Sequence, residues 1–284
     1  MKKILFFVFV SLFFVFIDAN ETNAQVLDGI YEKEHVPSRT PAPYTYLREA
    51  DVMWQTRIWR MIDLREKINH PLYYPAEKIG DRLSLIDLLL WGINNEGVVP
   101  YDPVDDRFTA PMTRTDIAAK FDALDDTTNV PDPVTGDFVE VIIPGDKTTS
   151  EVKQYILKED WFFDRQKSVM EVRIIGICPI RHYVKDDGTG GAQQIRESKV
   201  FWIYFPDARR VLANHEVFNR FNDSERKTFD DIFLKRRFNS FVIRESNVYE
   251  NRGVSEYRIG IQSLLEAEKI KDKIFKFEND LWEY

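Results

Sequence analysis

A single cysteine, Cys178, rules out an internal disulfide in this chain, so its stability must come from packing rather than cross-links. Cys178 lies in the strand-like run Val172-Arg-Ile-Ile-Gly-Ile-Cys-Pro. There it reads as a small buried hydrophobe, with a thiol nucleophile and an intermolecular bridge as the weaker alternatives. Histidine is scarce as well: His35, His70, His182 and His215 are scattered, without metal-ligand spacing. Positive charge is in deficit, with 39 Lys and Arg against 47 Asp and Glu and no dense basic stripe. That excludes nucleic acid as a partner. Beyond the N-terminus no apolar run approaches the roughly 20 residues of a spanning helix, so no direct membrane span is expected.

Recognisable chemistry is missing too. There is no His-Glu-x-x-His and no Gly-x-Ser-x-Gly element. Gly188-Thr-Gly-Gly-Ala is rich in glycine, but no Lys-Ser or Lys-Thr follows and it joins two strands. It reads as a hairpin loop, not a phosphate cradle. The acidic stretch 132–137 lacks EF-hand spacing. Asp160 and Asp164 stand one helical turn apart, close enough to share a proton or a metal. They flank Trp161-Phe-Phe, however, so a solvated edge around an aromatic core is the better reading. The sequence points to no catalytic, cofactor-binding or metal-binding residue, and an exported enzyme is the weakest of the functional readings.

What is present begins with a targeting signal. Lys2 and Lys3 precede an apolar run over 4–17, broken only by Ser11, and Thr22-Asn23-Ala24 follows. That order marks a secretory signal peptide over 1–24, cut after Ala24. No cysteine near the cut can carry a lipid. Losing Lys2, Lys3, Asp18 and Glu21 with the signal leaves the net charge at −8. The remaining chain, 25–284, is long enough for one or two compact domains.

Along that chain, 25–46 reads as an extended arm: Pro37, Pro41 and Pro43 exclude a helix, and Tyr44 and Tyr46 offer aromatic anchors. A loose tail is one outcome, and a strap onto a neighbouring subunit is the other. The pattern over 47–68 predicts a helix stopped by Pro71. On helical geometry Leu47, Trp54, Ile58, Met61, Ile62 and Ile68 share a face, while Trp59 and Val52 lie well round from it. An apolar arc this wide suggests one core face and one interface face. Trp59, with Tyr44 and Tyr46, is therefore a candidate interface residue, and Trp54 a core residue.

Leu83-Ser-Leu-Ile-Asp-Leu-Leu-Leu-Trp-Gly predicts a second helix, ended by Gly92 and the turn at 94–97. A third is expected over 113–124, capped by Thr113 or Thr115. A connector over 125–150 has room for one hairpin through 138–143. In the second half, 169–177 and 199–205 alternate apolar and polar residues and predict an antiparallel pair. Helices are expected over 209–221, over 225–238 behind Asp223 or Ser224, and from about 255 to 277, with a short strand at 241–244. The fold class is α+β, with a helical region (47–124), the connector, and a small antiparallel sheet packed with helices (151–284).

Several segments resemble one family. They are Trp59-Arg-Met-Ile-Asp-Leu-Arg-Glu-Lys-Ile-Asn-His-Pro-Leu-Tyr-Tyr-Pro, Arg82-Leu-Ser-Leu-Ile-Asp-Leu-Leu-Leu, Lys158-Glu-Asp-Trp-Phe-Phe-Asp-Arg-Gln, Met170-Glu-Val-Arg-Ile-Ile-Gly-Ile, Asn247-Val-Tyr, Leu265-Glu-Ala-Glu-Lys-Ile-Lys and Phe277-Glu-Asn-Asp-Leu-Trp-Glu. The chain resembles the GldN/PorN family of the type IX secretion and gliding-motility machinery of Bacteroidota. The resemblance implies a non-catalytic, cofactor-free structural role in the periplasm. It implies co-assembly with an outer-membrane lipoprotein of the GldK/PorK type into a ring near that membrane. It also implies contact with the periplasmic part of the motor complex (GldL–GldM, PorL–PorM). The rival from another class is an exported protein that captures a small ligand in a cleft.

Overall fold

The segment predicted as the first long helix is a β-strand. The computed structural model describes residues 36–124, 126–131, 138–143, 145, 147–184, 195–219, 222 and 224–281. In it β1 (Val52–Asp63) pairs antiparallel with β5 (Val152–Asp164) on one side and β11 (Phe241–Glu245) on the other. The alternation of a strand sends Ile58 and Ile62 to one face of the sheet and Trp59 to the other, and all three are buried. A strand covered on both faces shows no clean apolar–polar alternation, so its pattern passes for a very wide helical arc. The signal at 1–24, the arm residues 25–35, His35, the acidic stretch 132–137, the glycine loop at 188–192 and Asp223 lie outside the described residues.

β1 belongs to a seven-stranded sheet in the order β11-β1-β5-β6-β8-β2. Here β6 is Val169–Val184, β8 is Trp202–Tyr204 and β2 is Pro100–Tyr101. β7 (Ile195–Lys199) pairs with the far end of β6, so β7 and β8 together form the partner expected for β6. Two small hairpins lie apart from this sheet: β3 (Asp126–Pro131) with β4 (Phe138–Ile143), and β9 (Glu216–Val217) with β10 (Lys227–Thr228). The predicted connector hairpin is the first of these.

The helices are α1 (His70–Tyr73), α2 (Leu85–Asn95), α3 (Arg114–Lys120), α4 (Phe205–Ala213), α5 (Phe229–Leu234), α6 (Val254–Tyr257) and α7 (Ile261–Asp280). Helices and a mostly antiparallel sheet make this an α+β fold. The region expected to be helical thus holds only three helices, and its main element, β1, is shared with the strands of the second half. Local chemistry sets several boundaries. In α3 the cap is Thr113, one of the two expected, and it forms a capping box with Asp116. In α5 the box is Thr228 with Asp231, four residues past the expected Ser224. Gly92 does not end α2. It faces Val211, whose two methyls would lie 3.3 Å from a Cβ at that position. The chain instead turns at Gly97, with φ +71°.

The core has three parts. The largest packs Tyr155, Leu157, Ile177 and Phe201 of the sheet region against Leu88 of α2, Leu212 of α4 and Phe233 of α5. On the same face, Ile58 and Val242 lie beneath Ala267, Ile270 and Ile274 of α7. The third part is on the opposite face, where Trp59, Ile156, Cys178, Ile180 and Trp202 are covered by Tyr101 and Phe108.

Candidate interaction surfaces

Trp59, expected at an exposed interface, is only 5% exposed. Its indole N–H donates to Asp106 Oδ2 at 2.7 Å. Asp106 belongs to a segment, 102–111, that lies over this face of the sheet and also secures Lys158. The Lys158 ammonium donates to the Asp106 carbonyl at 2.6 Å and lies 3.5 Å from its carboxylate. Lys158 is buried beside the rings of Phe108 and Trp59, 5.3 and 6.0 Å from their centres. Desolvation pulls the Lys158 pKa down, and Asp106 opposes that shift. Phe108, with φ +59°, completes the closure over Gly176, where a Cβ would come within 2.6 Å of the Phe108 ring. Trp54 is half-buried, stacked on Phe277 of α7 at 4.6 Å. The burial expected of the two tryptophans is thus reversed, because β1 is a strand.

The described part of the arm, 36–46, docks on its own chain. Val36 is buried, and the Arg39 guanidinium donates to both carboxylate oxygens of Asp231, at 2.7 and 3.2 Å. Arg209 lies 4.4 Å from the Tyr44 ring centre and is itself bidentate to Asp230. Arg173 donates to the Thr45 carbonyl at 2.6 Å. Burial raises the Tyr44 pKa, against the opposing charge of Arg209. Tyr46, two residues past Tyr44, is 90% exposed. At Asp231, burial pushes the carboxyl up, but hydrogen bonds from Lys235, Arg39 and the Thr228 backbone outweigh it and hold the group at about 2.

The acidic residues weighed for chemistry are paired structurally. Asp160 and Asp164 are buried on β5, not on a solvated edge. Arg57 grips Asp160 at 2.6 and 2.7 Å, and Asp164 accepts from the Gln166 backbone. Glu159, which the sequence reading passed over, is fully buried. It accepts two hydrogen bonds from Arg236 and one from the Trp161 indole, with Arg60 Nε at 3.5 Å. The sequence reading assigned no strand to 152–164, and because 154–160 are all buried no alternation along β5 marks Glu159 out. Cys178 is buried, and desolvation pushes its thiol up to about 12, far from thiolate chemistry at neutral pH. His215 Nδ1 lies 3.0 Å from the Val211 carbonyl, and His182 Nδ1 lies 3.8 Å from Glu197. Among the described residues no three His, Cys, Asp or Glu gather to hold a metal ion. No helix among them is long and apolar enough to cross a membrane.

Surface features remain on either side of α1 and along α7. A cleft of about 510 Å³ is lined by Lys67, Ile68, Phe218 and Arg237 among others, and one of about 420 Å³ by His70, Tyr73, Tyr74 and Lys153. The outer side of α7 exposes Ile261, Leu264, Leu265 and Phe275. This α+β fold thus combines paired buried charges with apolar side chains left exposed on its surface. Residues 47–283 match the family described as gliding motility associated protein GldN, and the chain belongs to that family. It is therefore a protein associated with gliding motility and type IX secretion. A comparison with curated proteins found no match. The arm, 25–46, falls outside the matched range.

Proposed function

We propose that this chain is a non-catalytic structural subunit of a periplasmic secretion and gliding complex. It co-assembles with an outer-membrane lipoprotein of the GldK/PorK type into a ring, and meets the periplasmic domains of a GldM/PorM-type motor protein. The observation that carries this reading is the family match across residues 47–283. The geometry supports it: the buried Asp160, Glu159 and Lys158 are each held in ion pairs within the fold. The N-terminal pattern supports export, with the chain free of lipid after cleavage at Ala24 and held at the outer membrane through its partner. Of the candidate interface residues, Tyr46 is the one free to meet a partner, with Tyr44 positioning it. Trp59 acts indirectly, by holding segment 102–111 in place.

The test is co-purification of the chain with its partner lipoprotein, followed by sizing with and without it. A large complex of defined mass supports the reading. A chain that stays monomeric beside every partner, or that turns over a substrate alone, removes it. N-terminal sequencing checks the export step: the chain should begin at Gln25, and a retained Met1 would contradict it.

A further inference from the structure

We propose that copies of this chain join head to tail, the outer side of α7 of one copy seated in the cleft beside α1 of the next. This rests on the ring reading above and names the surfaces that would form it. α7 is apolar on its anchored side and along a second, exposed strip that runs round from it. Ala267, Ile270 and Ile274 fall within roughly 60° of one another on helical geometry and pack on Ile58 and Val242. Ile261, Leu264, Leu265 and Phe275 lie roughly 60° to 160° round from Ala267, and each is more than half exposed. Between these apolar residues, on the same strip, stand Glu268 and Asp272, both exposed. Glu268 lies 3.6 Å from the exposed Lys271 and also acts at longer range on Arg60 of its own chain, and Asp272 has no ion pair among the described residues.

The cleft is the complement of that strip. Leu72, Val217 and Ile232 lie buried at its base, and Ile68 and Phe218 are partly exposed beside them. Lys67 and Arg237 line it as cations with no ion pair among the described residues, and Lys227 lies 3.5 Å from Glu225. An apolar slot with a positive rim fits an apolar helix strip with a negative centre, the pattern of helix-in-groove recognition.

A second copy, placed head to tail, is the occupant that fits both patches. Ile261, Leu264, Leu265 and Phe275 are each more than half exposed, so their own chain leaves most of the strip uncovered. Pairing two copies α7 to α7 would set Glu268 and Asp272 against the same carboxylates, and like charges oppose that arrangement. Two different patches meeting make a heterologous contact, which propagates and closes into a ring when the rotation between copies allows it.

The single native cysteine is buried, so introduced cysteines report alone. In cells assembling the complex, the full chain carrying Ile68→Cys and Phe275→Cys together, oxidised with copper phenanthroline, should give a ladder of covalent multimers. Mixed single variants should give covalent dimers only. If the double variant stays monomeric on the gel while the complex still elutes at high mass, the inference falls and the ring reading stands. Cross-linking to a different polypeptide, identified by mass, also overturns it. A wild-type chain that never enters a multimer sinks both. As an independent check, Asp272→Lys and Arg237→Asp should each weaken self-association about tenfold at low salt. Combining them should restore it to within about twofold, and single variants that bind like wild type would overturn the contact.

Discussion

The Trp59 indole N–H donates to Asp106 at 2.7 Å, and through that bond a strand in the first quarter of the chain holds the segment that closes one face of the sheet. Because the ring is buried as well as bonded, two losses can be separated. Trp59→Ala should destabilise by about 3–5 kcal/mol through the cavity and the lost bond. Trp59→Phe keeps most of the ring and should cost about 1–2 kcal/mol. Urea denaturation of both variants checks this, and a Trp59→Ala midpoint equal to wild type would mean the ring is not packed as described. Trp54→Ala, at a half-buried stacked ring, should cost less than Trp59→Ala.

Gly176 admits the Phe108 ring. Gly176→Ala should displace Phe108 and segment 102–111, at about 1–3 kcal/mol of overpacking. Adding Phe108→Leu should recover part of the loss by shortening the clashing side chain. Hydrogen exchange of residues 102–111 is the direct readout. Unchanged protection in Gly176→Ala would show that the contact is looser than 2.6 Å implies.

Stability should fall in acid partly through Asp231. Its folded pKa, about 2, lies below the roughly 3.9 of an unfolded aspartate. Its contribution is therefore present above pH ~4 and is lost as the pH falls toward 2. Asp231→Asn should be less stable than wild type at pH 6, and the gap should narrow toward pH 2.5. Parallel melting curves across that range would assign the acid sensitivity to other carboxylates.

The two arm tyrosines should behave differently. Tyr44, held between Arg209 and Arg173, should lower the melting temperature when replaced by alanine. Tyr46→Ala should leave it unchanged and weaken only partner capture. A Tyr46→Ala chain that captures its partner as well as wild type would free this residue of any interface role.

What could be read from the sequence depended on how each element is covered. β6 and β11, the α3 cap at Thr113 and the turn region before β2 follow from local pattern and capping chemistry, and the structure has them. β1 was misread because Ile58, Trp59 and Ile62 are all buried, and burial on both faces erases the period-two signal. The candidate site suffered with it. Trp59 was assigned to the surface by a helical wheel that does not apply, and Asp106, 47 residues away, carried no local sign of being its partner. The arm's docking on Arg39–Asp231 is equally invisible locally, since the two residues are 192 apart. The exposed side of α7 was legible in principle, because Ile261, Leu264 and Phe275 recur at helical spacing.

The strand order also governs when the fold can be completed. β1 is finished by residue 63, but its partner on one side is β11, made of residues 241–245. While the chain is synthesised from its N-terminus, one flank of β1 stays unsatisfied until nearly the last strand emerges. An unpaired flank carrying Ile58, Trp59 and Ile62 is a template for wrong pairing. Such distant pairing also slows folding. The newly made chain therefore has a built-in interval of vulnerability, ending only when its C-terminal fifth arrives, and a chaperone that shields the Val52–Asp63 segment would act in that interval.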